Sequence, residues 1–305
     1  MGEAVGVSVV IPAYNARDTI QEEIRSVQAQ TVPVREVIVV DDGSADGTAN
    51  VVREEFSSVR LFQVVNGGPS RARNYGIQVA EASWVAFLDA DDCWHPQKVE
   101  RQLKVLDEHP EVGLVASDWV RLYHGPPHLP FALKVSSVSY RQLLILNRFQ
   151  TSTVIVKKSI LEAVDAFDAS LDGAEDWDLW VRVARIAVVN KVDEPLVMYR
   201  DVGTGYSKDV WRLFSTMKPM LEKHRDALPR DTFFVIEAWH YLRFWVAFRL
   251  LKDDVRAKQV LEELRSGGLS RYAPRAVALY LAPFLLRRWM RRARLLIGRL
   301  TGADT

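Results

Sequence analysis

Cysteine is nearly absent from these 305 residues: Cys93 stands alone. One thiol cannot close an internal disulfide, and its isolation fits a reducing compartment. A chain this long buries a full core without covalent staples, so Cys93 reads as a small packing or loop residue. Long apolar runs are missing too. No stretch reaches the roughly 18 residues that a bilayer crossing needs. The opening MGEAVGVSVVIPAYN has no basic segment ahead of an apolar core, and MGEAVG has no Ser or Thr where a myristoylation signal needs one. The expectation is a cytoplasmic protein without a leader, a span or an N-terminal lipid. There is no internal repeat and no low-complexity tract.

Lysine is missing from the last 35 residues, where positive charge is not. Residues 271–305 hold eight Arg and one acid, Asp304, whereas residues 1–270 hold 32 bases and 38 acids. The overall charge of +1 therefore joins an acidic body to a tail of +7. Such a tail calls for an anionic partner of its own.

What is present reads as α/β. Residues 7–11, 36–40, 59–65 and 84–88 are continuous apolar, β-branched runs, and residues 48–56 and 70–80 between them suit helices. Ile20, Ile24 and Val27 share one face of a further helix, with Asn15 as its cap and Asp18 in a capping-box position. Buried strands joined by helices predict a parallel sheet covered on both faces, with ligands beyond the carboxyl ends of the strands. Farther on, 124–130 is a proline-rich loop, 153–156 a strand, 176–184 a helix and 191–199 an extended segment interrupted by Pro195. From Val210 the pattern is helical, rich in Trp, Phe, Leu and Arg.

Polar clusters follow the strands. Pro12-Ala13-Tyr14-Asn15 ends the first, and an aromatic there suits either base stacking or ordinary half-burial. Asp41-Asp42-Gly43-Ser44 ends the second and fits both a ribose or base contact and a turn with a helix cap. Gly67-Gly68-Pro69-Ser70-Arg71-Ala72-Arg73 opens a helix with free amides and two cations, suited to a pyrophosphate or a base edge. It matches neither GxGxxG nor the phosphate loop of ATPases. Asp89-Ala90-Asp91-Asp92 caps an apolar strand with three carboxylates. Their repulsion favours a hard cation, Mn²⁺ or Mg²⁺, over a merely solvated turn. Glu175 and Asp176 open a helix on which Asp178 and Arg182 are spaced to pair; the two acids suit either capping or general-base work.

In this order and spacing, VSVVIPAYN, DDGSADGT, GPSRARN, FLDADD and GAEDWDLWVRVA resemble the family-2 glycosyltransferases with the GT-A fold, over roughly residues 5–208. The resemblance implies a catalytic domain of residues 1–208, with a nucleotide-sugar half 1–120 and an acceptor half 121–208. A helical region 209–305 with a basic amphipathic tail follows. It implies that Pro12 and Tyr14 line the base pocket, that Asp42 bonds the base, and that Arg73 closes over base and diphosphate. Asp89 faces the ribose and forms the metal pair with Asp91, Asp176 is the catalytic base with Glu175 nearby, and Arg200 meets phosphate or forms a structural ion pair. The reaction implied is metal-assisted single displacement with inversion, from a nucleotide-diphosphate sugar to a hydroxyl of a glycan or lipid-linked glycan. Where many relatives carry a histidine after Tyr-Arg, this chain has Val202, which removes a ligand from the loop. A nucleotidyltransferase would need a lysine-bearing glycine loop where Pro12–Asn15 stands. A non-catalytic scaffold would not need Asp89, Asp91 and Asp176. No nucleic-acid partner is expected. The tail is expected to meet an anionic membrane surface at its inner face.

Overall fold

The computed structural model describes residues 6–122, 126–130, 132–200 and 209–281. It divides into two compact units, residues 1–205 and 206–305.

In the first unit, β1 (Val7–Ala13), β2 (Glu36–Asp41), β3 (Arg60–Gln63) and β4 (Trp84–Phe87) run parallel in the order β3-β2-β1-β4. Val9, Val10, Ile11, Ile38, Val39 and Val40 are buried, as continuous β-branched runs covered on both faces should be. Helices α1 (Ile20–Gln28), α2 (Thr48–Glu55) and α3 (Pro69–Val79) are the crossovers. The third strand is shorter than its apolar run: Val64 donates its N–H to the Asp41 carbonyl at 2.9 Å, and Val65 turns out to solvent. Gly76 of α3 faces Val10, and a Cβ there would lie 2.3 Å from Val10 Cγ1. The missing side chain lets α3 lie close on the sheet.

Asn15 does not cap α1, which begins after Thr19. Its backbone is left-handed, at φ 49°. It accepts the Ala45 N–H on Oδ1 at 3.0 Å, and its own N–H donates to Ser44 Oγ at 2.9 Å. The residue ties the end of β1 to the loop after β2, a task that asparagine's tolerance of left-handed backbone allows.

The sheet continues with β5 (Cys93–Trp94), β6 (Val112–Arg121), β7 (Val135–Ser137), β8 (Ile155–Lys157) and β9 (Val188–Tyr199), in the path β4-β8-β6-β9-β5 with β7 also on β9. Here β8 is antiparallel to both β4 and β6, β5 and β7 are antiparallel to β9, and β6 and β9 are parallel. The first four strands are thus all parallel, and the rest of the nine-stranded sheet is mixed. Pro195 sits inside β9 opposite Asp118, where the register shifts. A bulge is where a strand tolerates a residue without an N–H. Helices α4 (Lys98–Glu108), α5 (Tyr140–Ile145), α6 (Lys158–Ala163) and α7 (Glu175–Ile186) complete the unit. Trp180 of α7 meets Phe87, Phe149 and Phe167 with ring centroids 5.9–6.3 Å apart. This aromatic cluster fixes α7 against β4.

The second unit is helical: α8 (Val210–Glu222), α9 (Arg230–Leu250), α10 (Asp254–Ser266) and the short α11 (Ala273–Ala276). Asp209 and Asp253 cap α8 and α10 by accepting backbone N–H groups. Phe214 packs edge-on to Tyr241, Phe244 and Phe248. No described helix is long and apolar enough to cross a membrane. Residues 282–305, which hold most of the basic tail, and Val202 lie outside the described residues.

Candidate active site

Strand register places the polar clusters on one edge. Ala13 pairs with Asp41 and Val10 with Phe87, so Tyr14, Asp42 and Asp89 all leave the sheet at its carboxyl end. Pro12 is half-buried in β1 and Tyr14 is 57% exposed, its ring available for a flat partner.

The Asp41–Asp42 pair is thoroughly tied. Asp41 accepts the Ser44 N–H at 3.1 Å and the Gln63 side-chain amide at 3.3 Å. Asp42 is buried and accepts the Gly67 and Gly68 N–H groups at 2.8 Å each. The glycine-turn amides that the sequence offers to a pyrophosphate are therefore engaged by Asp42. What the turn contributes is a fixed start for α3, the helix that carries Arg73.

Arg73 is 5% exposed and stands between two acids. Its Nη2 meets Asp89 Oδ1 at 2.6 Å, and its Nη1 lies 3.6 Å from Glu175 Oε1. The guanidinium also lies over the Phe167 ring, 5.3 Å from its centroid. Burial works against its charge, but Asp89 and Glu175 outweigh burial and raise its pKa. One cation thus joins the end of β4 to the start of α7. This contact links positions 16 and 102 residues apart in the chain, and local pattern does not reveal it.

The Asp89–Asp92 cluster is different. Asp92 is 1% exposed; it accepts the Ser152 hydroxyl at 2.6 Å and the Arg200 N–H at 3.1 Å. Burial, with Asp89 and Asp91 beside it, raises its pKa well above the carboxylate range. The same Ser152 Oγ accepts the Asp89 N–H at 3.1 Å, so one hydroxyl bridges both ends of the motif. Sequence reading does not single out Ser152. Asp91, through burial and then repulsion from Asp89, is pushed up to about 6. Arg200 pairs with Glu22 at 2.5 Å and donates its Nε–H to the Asp91 carbonyl at 3.0 Å. Its guanidinium is held by α1 and by the aspartate loop.

Below this loop, Glu23 is fully buried with neither carboxylate oxygen hydrogen-bonded, and burial pushes it up to about 9. Glu22, Glu23 and Cys93 bring one potential ligand atom each within 4.8 Å of one another. Arg200 already occupies Glu22, and the burial of Glu23 favours its neutral form, so the group reads as packing beneath the site.

At the start of α7, Asp176 accepts the Trp177 N–H at 2.5 Å and the Asn147 side-chain amide at 3.3 Å. A helix N-terminus alone would lower its pKa. Burial and the neighbouring Glu175 overcome that and push it up to about 7, with Arg73 pulling the other way. Asp178 and Arg182 pair at 2.7 Å inside the helix and serve the fold.

The donor set at Asp89 and Asp91 is hard oxygen, crowded and partly desolvated, which suits a divalent cation of the Mg²⁺ or Mn²⁺ kind. Asp92, locked by Ser152 and the Arg200 amide, is the support of that pair.

Comparison with known proteins follows the geometry. Residues 8–151 match the family model described as Glycosyl transferase family 2. An uncharacterized glycosyltransferase of Rickettsia bellii is 32% identical over 193 residues, 60% of this chain and 28% of that protein. The putative teichuronic acid biosynthesis glycosyltransferase TuaG of Bacillus subtilis is 29% identical over 211 residues, 68% of this chain and 83% of that one. Among solved structures, S. aureus TarS 1–349 in complex with UDP-GlcNAc superimposes with a TM-score of 0.67 at 22% identity, over 90% of this chain and 83% of that one. The mannosyltransferase PcManGT from Pyrobaculum calidifontis, in complex with GDP-Man and Mn²⁺, gives 0.59 at 21%, over 97% and 86%. The chain spans 28% of the length of the Rickettsia bellii relative and 63% of one from Rickettsia typhi. The first unit thus has the fold of these solved glycosyltransferases, and residues 8–151 of it match the family-2 model.

Proposed function

We propose that this chain transfers a sugar from a nucleotide-diphosphate donor to a hydroxyl of a glycan or lipid-linked glycan, inverting the anomeric centre. The observation that carries the reading is the pair of acid groups on either side of Arg73: Asp89 with Asp91 at the end of β4, and Glu175 with Asp176 at the start of α7. One side suits a diphosphate and its cation, the other an incoming hydroxyl. The UDP-GlcNAc and GDP-Man bound in the two solved relatives support a nucleotide-sugar donor, and the Mn²⁺ in one supports a divalent ion.

In this reading Tyr14 stacks on the base with Pro12 beside it, and Asp42 adds an acceptor for a base N–H. Asp91 and Asp89 hold Mn²⁺ or Mg²⁺. When bound, the cation neutralises charge growing on the nucleoside diphosphate leaving group. Arg73 has a buried Nε without a hydrogen bond and an Nη1 that meets Glu175 only at 3.6 Å, and these donors would serve the diphosphate. Asp176 takes the proton of the acceptor hydroxyl, oriented by Asn147 and the Trp177 amide. One displacement with one base inverts an α-linked donor to a β-linked product, with none of the second carboxylate chemistry of a retaining pathway. Arg200 is a support for the aspartate loop through its pairing with Glu22. The basic tail, in the same reading, holds the protein at an anionic membrane surface where a lipid-linked acceptor resides.

The test is a panel of UDP- and GDP-sugars assayed for donor turnover with Mn²⁺ and with EDTA, with the product anomer read by NMR. Expected are release of nucleoside diphosphate, dependence on the cation, and a β-linkage from an α-donor. Release of pyrophosphate from a nucleoside triphosphate and a sugar 1-phosphate, supplied in a parallel assay, would turn the reading to a nucleotidyltransferase, and absence of turnover with every donor would support a scaffold. Undiminished activity in EDTA would remove the metal.

A further inference from the structure

The helical unit contains a cleft of about 510 Å³ lined by Arg230, Asp231, Arg271, Tyr272 and Arg275. All three arginines are exposed, and none forms an ion pair with a described residue. Arginines this close repel one another, and surface arginines usually relieve that with acids. Here the lining offers one acid, Asp231, whose Oδ1 already accepts the Tyr272 hydroxyl at 3.2 Å.

The cleft is built to hold its cations in place. The Tyr272 ring stacks on Phe234 of α9 with centroids 5.3 Å apart and planes at 27°. Arg271 lies over Tyr272 at 4.8 Å, and Arg230 lies over Phe234 at 5.6 Å. A guanidinium backed by an aromatic face keeps its N–H edges outward, which is the geometry for bidentate bonds to a phosphate. A purely basic surface would suit an anionic bilayer; this open cleft has a carboxylate among its arginines, which suits a group that pairs an anion with hydroxyls.

We propose that this cleft binds the phosphate of a phosphorylated saccharide, with Arg230, Arg271 and Arg275 on the phosphate and Asp231 toward a sugar hydroxyl. The choice of a saccharide as the carrier rests on the transferase reading; the anion site does not.

The experiment is calorimetry of the full chain with glucose 1-phosphate in EDTA, so that no divalent cation contributes. The wild type is compared with the double variant Arg230→Gln/Arg271→Gln, with Arg275→Gln, and with Arg265→Gln on α10, which matches the charge change of Arg275→Gln outside the cleft. Each lost cleft arginine is expected to weaken binding about tenfold, the scale of one charge-assisted hydrogen bond, with Arg265→Gln close to wild type. Absence of binding, equal binding in the cleft variants, or equal weakening by Arg265→Gln would overturn the proposal. Sedimentation with phosphatidylglycerol vesicles separates the sources. Vesicle binding that needs the cleft arginines while glucose 1-phosphate gives no heat would assign the cleft to a lipid headgroup and overturn the saccharide. Failure of the transferase reading shows in donor turnover, which this measurement does not involve.

Discussion

Two acidic pairs follow β2 and β4, the strands on either side of β1 in one sheet, and they have opposite fates. At the end of β2, Asp41 and Asp42 are buried, and four hydrogen bonds from Ser44, Gln63, Gly67 and Gly68 meet their oxygens. At the end of β4, burial, and then repulsion from the neighbouring aspartates, raises the pKa values of Asp91 and Asp92. The first arrangement is finished as it stands and holds a loop. The second is incomplete in the isolated chain, which is how a cation site differs from a structural carboxylate. The same residue type in similar sequence surroundings is a brace in one place and, in the proposed function, a ligand in the other, and the neighbours decide which.

Breaking the third acidic pair should have the largest effect. Asp176→Asn is expected to lower turnover by about 10²–10⁴-fold, the usual worth of a general base, while donor affinity by calorimetry stays within a factor of about two. In the wild type the rate should climb through the pH at which Asp176 deprotonates, about 7, and level off above it. If Asp176→Asn turned over normally and Glu175→Gln did not, the base would be Glu175.

The two strand-end pairs should then part in sign. Asp42→Ala leaves two half-buried glycine amides without their acceptor and should cost about 1–3 kcal/mol of stability in denaturant titration. Asp91→Asn should stabilise the metal-free chain instead. Because folding raises the Asp91 pKa to about 6, its ionisation penalises the folded state. That penalty is absent below the unfolded value near pH 4 and complete above pH 6, so the gain should grow across that window to on the order of 1–3 kcal/mol. Destabilisation by Asp91→Asn at pH 8 would show that the cluster is already satisfied. The same substitution should abolish thermal stabilisation by Mn²⁺.

The smallest effect tests the support of the base. Asn147→Ala removes a hydrogen bond that favours ionised Asp176. The acid limb of the rate profile should therefore move up by about half a unit, with a loss of about threefold below pH 7 and little loss above it. A uniform loss at every pH would mean that Asn147 acts through packing.

Strands β1 and β2 were legible because parallel strands covered on both faces read as β-branched runs, β3 and β4 because they recur between helices, and the carboxyl ends announce the ligand edge. Antiparallel β8, three residues long, and the bulge at Pro195 were less so, since both depend on partners far along the chain. The polar motifs were visible as motifs. Their division of labour was not: nothing local distinguishes Asp42, answered by amides 25 and 26 residues away, from Asp91. Asn15 looked like a helix cap because asparagine suits both a cap and a left-handed turn, and only the fold chooses. Ser152 is 60 residues from Asp92 and has no signature of its own. In the helical unit, the capping aspartates are ordinary sequence signals, but the gathering of Arg230 with Arg271 and Arg275 arises from tertiary packing.

Gly76 has a consequence for how this domain tolerates change. Val10 is a stiff, fully buried residue of the central strand, so a methyl at position 76 would have to lift α3 rather than push Val10 aside. Arg73, one turn earlier on that helix, would move with it and lose its hold on Asp89 and Glu175 together. Position 76 touches neither a phosphate nor a proton, yet it fixes the distance between the two halves of the chemistry. Directed evolution for new donors can therefore work at exposed Tyr14, while libraries that vary this helix's inner face would return folded, inactive clones.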